Sequence, residues 1–463
     1  MVPELPMTLD RRASRPLARQ VADHLREAAA QGLLRIGDRL PSTRALAASL
    51  GVSRTVTAAA YEQLVAEGWI EAKHGSGSFL AAEPPVPGGL RRTTRSVRTD
   101  PRRGSSAPPD AQVDLRPGSP WAAGLVESTW RRAWRRAGDA APDPRPVRAG
   151  LPAYRAAVAE HLLRHRGLGV SGGAVLATGG TSAALTELAL AWLEPGDAVA
   201  VEEPGYPRAV GALRAAGLRV LPVRVDGGGL VVDDLPENAR AVYCTPAHQF
   251  PLGARLSASR RMALVQWARD TGATIIEDDY DGELRYDVAP LPMLAAVGPD
   301  VVVHLGTSSK IMTPTLGVGW MVAPRSIIAA VLAYRNSAGI GPSLAGQRVV
   351  TAMAESGDLS RHLRRVRREL AVRRDIVASK LATAGRVVVG DRAGAHLVTL
   401  VDGPDDERWA IAAAAASGVA LDGVGRCFAG VPDMAGITLG YAAPARRDDL
   451  ERGLEVFLNL ARG

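Results

Sequence analysis

Lys310 closes the stretch "VVVHLGTSSK", residues 301–310, in which a β-branched run ends in the small hydroxyl residues Thr307, Ser308 and Ser309. The chain has three lysines, Lys73, Lys310 and Lys380, although 56 of its 463 residues are lysine or arginine. A lysine at the mouth of a buried strand is partly desolvated, which lowers its pKa and frees its amine to form an imine with an aldehyde. Upstream, "IIEDDYDGELRY", residues 275–286, places Asp278 and Tyr280 at another strand end. Further upstream, "VLATGGTSAALTELAL", residues 175–190, reads as a strand, a glycine turn and a helix start. The amides of Gly180, Thr181 and Ser182 at that helix end suit a phosphate dianion, and the Thr307 and Ser309 hydroxyls can add to it. Lysine, carboxylate, phenol and phosphate cradle are the parts that a pyridoxal 5'-phosphate site needs. Singly they are weak signals, because glycine turns before helices and Asp-Tyr pairs at strand ends are common. Their order and spacing make the combination much stronger.

The elements that must position these groups alternate from about residue 113 onward. Runs such as "DAVAVEEPGYP", "ARAVYCTPAHQFP" and "VGWMVAP" end in polar or glycine-containing loops and are separated by Ala/Leu-rich helical stretches. Such alternation implies an α/β domain, a mostly parallel sheet covered on both faces. Its ligand sites lie at the carboxyl ends of the strands. Residues 336–463 read as a smaller α+β part that starts with the basic helix "LSRHLRRVRRELAVRRDIVASKLA".

Residues 1–82 have a different texture. Leu17, Val21 and Leu25 share one helix face. Ser42 and Ser53 can each cap a helix, the first ending near Gly51 and the second near Gly68. "WIEAK" and "SFLA" then flank the turn "HGSG". Three helices followed by a hairpin make a winged helix-turn-helix. Between the two domains, residues 83–112 are rich in Arg, Pro, Gly and Ser, with little to bury, and read as a linker whose arginines could add phosphate contacts.

An apolar fraction of 46% predicts an ordinary packed core. The net charge of +8 favours a polyanionic partner or reflects an arginine-rich composition. Two cysteines, Cys244 and Cys427, offer neither a disulfide framework nor metal-ligand spacing, as suits a reducing compartment. The N-terminus lacks a signal-like apolar core, and the longer apolar stretches are broken by Glu, Gly and Pro. A cytoplasmic protein without a membrane span is expected.

The stretches "GDRLPSTRALAASLGVSR", "AYEQLVAEGWI", "GSGSFL", "VEEPGYP", "TPAHQFPLG", "IIEDDYDGELRY" and "LGTSSK" together resemble the MocR-type regulators of the GntR superfamily. In these a winged helix-turn-helix is fused to a fold-type I aminotransferase-like domain, and the resemblance covers nearly the whole chain. It implies Lys310 as the internal aldimine lysine, Asp278 against the pyridine nitrogen and Tyr280 near the ring oxygen. Tyr206 matches an aromatic beside the cofactor. Arg208 matches either a group for an effector carboxylate or a surface arginine. For double-stranded DNA, Arg44, Arg54, Thr55 and Thr57 fall where major-groove contacts are made, and Lys73 and His74 fall on the wing. Tyr61 belongs to the core of that unit. A head-to-tail homodimer, an operator with repeated half-sites and a small-molecule effector, pyridoxal phosphate or an amino compound, are implied as well.

Departures from the family keep other readings open. Gly317 in "TPTLGVGW" stands where the family has an arginine for the cofactor phosphate, and "AGITLGYAAP" lacks the arginine that holds a substrate carboxylate. The recognition helix carries "SRTVTAAAY" in place of the commoner "SRNTV". The alternatives are an aminotransferase that carries a DNA-binding module and a regulator that has lost the cofactor.

Overall fold

The computed structural model describes every residue except 1–6, 12, 14, 31–32, 67–68, 74–76, 82–112, 142–143, 287–291 and 461–463. It divides into two compact units, Met1–Pro101 and Arg102–Gly463. The linker expected at 83–112 lies outside the described residues.

In the first unit, α1 (Leu17–Ala30), α2 (Thr43–Leu50) and α3 (Arg54–Ala66) close around Val21, Leu25, Leu46, Tyr61 and Leu64. The Ser42 hydroxyl accepts the Ala45 N–H at 3.2 Å and so caps α2. Gly51 stops the helix at φ 61°, a left-handed conformation that a side chain would oppose. In α3, Thr57, Ala60, Tyr61 and Leu64 are buried, the spacing of a single helix face. The Tyr61 hydroxyl donates to the Pro41 carbonyl at 2.7 Å, which makes it the core residue expected. The wing is an antiparallel hairpin of β1 (Ile70–Lys73) and β2 (Gly77–Leu80).

The second unit is built on an eight-stranded sheet. Its strands are β4 (Val175–Thr178), β5 (Ala198–Glu203), β6 (Arg219–Asp226), β7 (Gly229–Leu230), β8 (Ala241–Cys244), β9 (Thr274–Asp279), β10 (Val302–Thr307) and β11 (Gly319–Val322), in the spatial order 4-11-10-9-8-5-6-7. The centre, β10-β9-β8-β5-β6, is parallel, and β11 and β7 pair antiparallel with their neighbours. Period-two alternation sends Val199, Val201, Ile276, Val303 and Leu305 to one apolar layer and Ala200, Val242, Ile275 and Val302 to the other. Helices cover both layers, so the strands carry near-continuous apolar runs.

The smaller part holds the sheet β12-β13-β16-β15, namely Val388–Val389, His396–Leu400, Gly436–Gly440 and Asp422–Gly423. Sequence alone puts its start near residue 336, but the fold also recruits β3 (Val113–Asp114), which pairs parallel with β14 (Val419–Ala420). A two-residue strand has no periodicity to betray it. Among the described residues no helix is long and apolar enough to cross a membrane. Both cysteines are buried and unpaired.

Removing the α2 cap with Ser42→Ala should destabilise the first unit by about 1 kcal/mol in urea unfolding. An unchanged midpoint would mean that the hydroxyl does not hold the helix start.

Candidate functional site

Because β4, β5, β8, β9 and β10 run the same way, their carboxyl ends open into one cavity of about 470 Å³. Its wall includes Gly180, Thr181, Ser182, Tyr206, Arg208, Asp278, Tyr280, Thr307, Ser309 and Lys310. Every residue that the sequence assigned to cofactor or effector lies on this one wall.

The acidic run of β9 shows how alternation selects one carboxylate. Glu277 and Asp279 point away from Asp278. Glu277 accepts the N–H groups of Leu294 and Ala295 at 2.8 and 3.1 Å, and Asp279 pairs with Arg166 at 2.7 Å. Asp278 alone of the three lines the cavity. Its Oδ2 accepts the Tyr243 hydroxyl at 2.6 Å, while its Oδ1 is buried with no partner. Burial pushes the Asp278 carboxyl up to about 6, against the hydrogen bond from Tyr243 and the influence of the nearby Thr181 hydroxyl and Lys310. An unpaired buried carboxylate oxygen is costly unless a donor meets it. A protonated ring nitrogen is such a donor.

The Lys310 amine donates to the Gly118 carbonyl at 2.6 Å. Burial depresses its pKa, Asp281 and Asp278 oppose that shift, and Arg208 adds to it. Gly180 precedes the helix α4 (Thr181–Trp192) at φ 105° with no side-chain cap, which leaves the helix end open to an anion. The Thr307 hydroxyl donates to Ser309 Oγ at 2.9 Å beside it, whereas the Ser308 hydroxyl turns away to the Val318 carbonyl. Tyr206 stands edge-on to Phe250, with ring centroids 5.5 Å apart. Arg208 is exposed on the rim and has no hydrogen-bond partner among the described residues. Arg116 and Arg426 also line the cavity, but they are paired with Asp114 and Asp422.

Gly317 takes φ 58° after a short turn, and nothing lies within 4 Å of where its Cβ would be. The place of the family's arginine is thus open space. The residues present fit pyridoxal phosphate at its ring nitrogen, its aldehyde and the helix end, with that one guanidinium missing.

On the first unit, Arg44, Arg54 and Thr55 are exposed. Thr57 corrects the sequence reading. It is fully buried, and its hydroxyl donates to the Thr43 carbonyl at 2.8 Å, so it joins α3 to α2 and cannot reach a groove. A threonine at the helix start carries no sequence signal that separates the two roles. Lys73 ends β1 without a described side chain, and His74 lies outside the described residues.

Residues 17–80 match the family described as bacterial regulatory proteins, gntR family, and residues 145–427 match aminotransferase class I and II. The HTH-type pyridoxine biosynthesis transcriptional regulator PdxR of Corynebacterium glutamicum is 34% identical over 96% of both chains. The chain belongs to the MocR-type transcriptional regulators of the GntR family. The probable rhizopine catabolism regulatory protein MocR of Rhizobium meliloti is 31% identical over 94% of this chain and 92% of that one. An archaeal alanine:glyoxylate aminotransferase superposes on 75% of the regulator, and on 90% of its own length, with a TM-score of 0.71 at 23% identity. That likeness shows the fold of the second unit.

Tyr243 was missed by sequence reasoning, as were His248, Asp281 and His396. Tyr243 sits on β8 within a run that looks like plain strand, and only the neighbouring β9 gives its hydroxyl a partner.

Thr57→Val should destabilise the first unit by about 1 kcal/mol through the unpaired carbonyl it leaves. Arg54→Ala should instead leave stability alone and reduce the salt slope of DNA binding by about one. Equal effects of the two on the salt slope would put Thr57 back at the DNA.

Burial also pushes Glu202 up to about 7, even with Thr245 and Gln249 donating to it. Glu202 and Asp278 therefore hold protons in the folded chain that the unfolded chain has released. Their contribution is full below about pH 4 and is lost as pH rises through about 6 and about 7. Cofactor-free Tm should fall across that window, and less steeply in the double variant Glu202→Gln, Asp278→Asn. Parallel curves would show that these carboxyls are not the buried protons.

Proposed function

We propose that the regulator holds pyridoxal 5'-phosphate on Lys310 and senses the cofactor itself, or an amino compound meeting it there, to alter DNA binding. The observation that carries this reading is the buried, partnerless Oδ1 of Asp278 in the cavity of Lys310. Bound there, the cofactor supplies an electrophilic carbon for amines and a protonated ring nitrogen.

The residues divide the work. Asp278, oriented by Tyr243, holds the ring proton in place, and its charge favours the protonated ring. Lys310, desolvated, offers an uncharged amine more readily than a surface lysine would. Gly180, Thr181 and Ser182 take the phosphate at the open helix end, with Thr307 and Ser309 alongside. Tyr206 walls the cavity, and Arg208 is placed to meet the carboxylate of an effector. Arg44, Arg54 and Thr55 meet phosphates and base edges of double-stranded DNA, with Lys73 and His74 on the wing. A head-to-tail homodimer then presents two heads to repeated half-sites, and a ligand that fits one arrangement of the heads better shifts the balance between them.

Transamination as the main activity is disfavoured. The stretch "AGITLGYAAP" lacks the arginine with which aminotransferases hold a substrate carboxylate. Loss of the cofactor is favoured by Gly317 alone.

Purified protein given pyridoxal phosphate should develop an absorption band at about 400–430 nm. Borohydride should trap it on the Lys310 peptide, and Lys310→Ala should not form it. Asp278→Asn should weaken binding by about tenfold or more, the loss of a charge-assisted hydrogen bond. The same ligand should change affinity for operator DNA bound by two protomers. No band and no adduct in wild type would sink the proposal in favour of a regulator with another ligand.

A further inference from the structure

The family stretch "TPAHQFPLG" contributes a histidine that none of the roles above uses. His248 is buried, and its Nδ1 lies 3.0 Å from Asp281 Oδ2 and 3.1 Å from the Tyr280 hydroxyl oxygen. The Tyr280 hydroxyl donates its one proton to the His248 carbonyl at 2.9 Å. A phenol with its proton so placed can only accept from the ring, and a carboxylate accepts too, so Nδ1 must carry the hydrogen. The imidazole therefore carries a hydrogen on Nδ1, within reach of both Asp281 and Tyr280.

This ring is closely packed against the backbone. A Cβ on Gly394 would lie 2.7 Å from Asp281 Oδ2 and closer still to the imidazole, and one on Gly253 would lie 3.0 Å from Nε2. The two glycines thus let the backbone press against both edges of His248. On its flank stands His396, with ring centroids 5.0 Å apart and Nε2 donating to the Pro251 carbonyl at 3.0 Å. The donor atoms of His248, Asp281 and His396 lie within 4.8 Å of one another, as a metal site would require. Arg166 and Arg285, however, line the small cavity behind His248 and Asp281 and disfavour a cation there.

Resting on the cofactor reading above, we propose that His248, oriented by Asp281, is a positioning residue that fixes Tyr280 as a hydrogen-bond donor to the ring oxygen of pyridoxal phosphate. An oxygen that accepts one hydrogen bond donates its own proton more strongly, so the pair sharpens the phenol as a donor. In the free chain that proton satisfies the His248 carbonyl. In the loaded chain it turns to the ring oxygen while His248 still holds the phenol oxygen. The ring oxygen is most negative once the Lys310 nitrogen has lost its proton, so a donor there favours that loss. Asp281 also acts on Lys310 directly through its charge, which makes His248 the residue to change.

The test is a pH titration of the visible band in the loaded full-length protein, arranged as a double-mutant cycle. Tyr280→Phe should raise the pH of the spectral transition by about one unit, the scale of a hydrogen bond to a charged group. His248→Leu should raise it in the same direction, and should add nothing in the Tyr280→Phe background. His248→Asn, which keeps an N–H at the Nδ1 position, should restore the wild-type transition. If His248→Leu does not fold, His248→Gln, with its N–H on the Nε2 side, replaces it and should give the same upward shift. An unshifted transition, or a His248 effect that persists undiminished in Tyr280→Phe, overturns the positioning role while leaving the cofactor reading intact. A wild type with no band overturns both.

Discussion

The second unit depends on a carboxylate buried with one oxygen bonded and the other bare. Asp278 receives the Tyr243 hydroxyl on Oδ2, and its buried Oδ1 has no hydrogen-bond partner. Leaving a carboxylate this way in an apolar sheet is unfavourable, and the fold tolerates it because the neighbouring strands supply rigid support. β8 brings Tyr243 beside Asp278, and the parallel partner β10 delivers Lys310 just past its end. Around that one carboxylate the other acids of the run are each neutralised by a dedicated partner: Glu277 by backbone N–H groups, Asp279 by Arg166, Asp281 by His248 and Glu283 by His161. Asp279 and Asp281 also keep one oxygen without a hydrogen-bond partner, but the other oxygen of each faces Arg166 or His248, whereas that of Asp278 faces only a phenol.

The electrostatics of the cavity are economical in cations. Arg116 and Arg426 face acids and Gly317 stands at the place of a family arginine, leaving Arg208 exposed on the rim and Lys310 within. In the family to which the chain belongs, the aminotransferase fold accompanies a DNA-binding unit.

Much of the architecture was legible because it is local. Ser42 and Gly51 bracket a helix by cap chemistry, the hairpin follows from its glycine turn, and the β-branched runs give the central strands. Lys310, Asp278, Tyr280 and Gly180 could be grouped because residues at the carboxyl ends of parallel strands converge by topology. Thr57 escaped correct placement because a helix-start threonine serves DNA or packing equally well until the facing carbonyl of Thr43 is known. β3 escaped because two residues carry no period.

The sequence by itself determined the two-unit organisation, the order of strands and helices, and the residue types that a pyridoxal phosphate site requires. These follow from periodicity, caps and strand-end position, which are properties of neighbours along the chain. The tertiary structure alone decided which acid of the β9 run faces the cavity with a bare oxygen, which hydroxyl orients it, and that His248 and Asp281 stand behind Tyr280. Those facts depend on side chains from separate strands and loops meeting within hydrogen-bond distance. Only the register of the sheet and the close approach at Gly253 and Gly394 fix those distances.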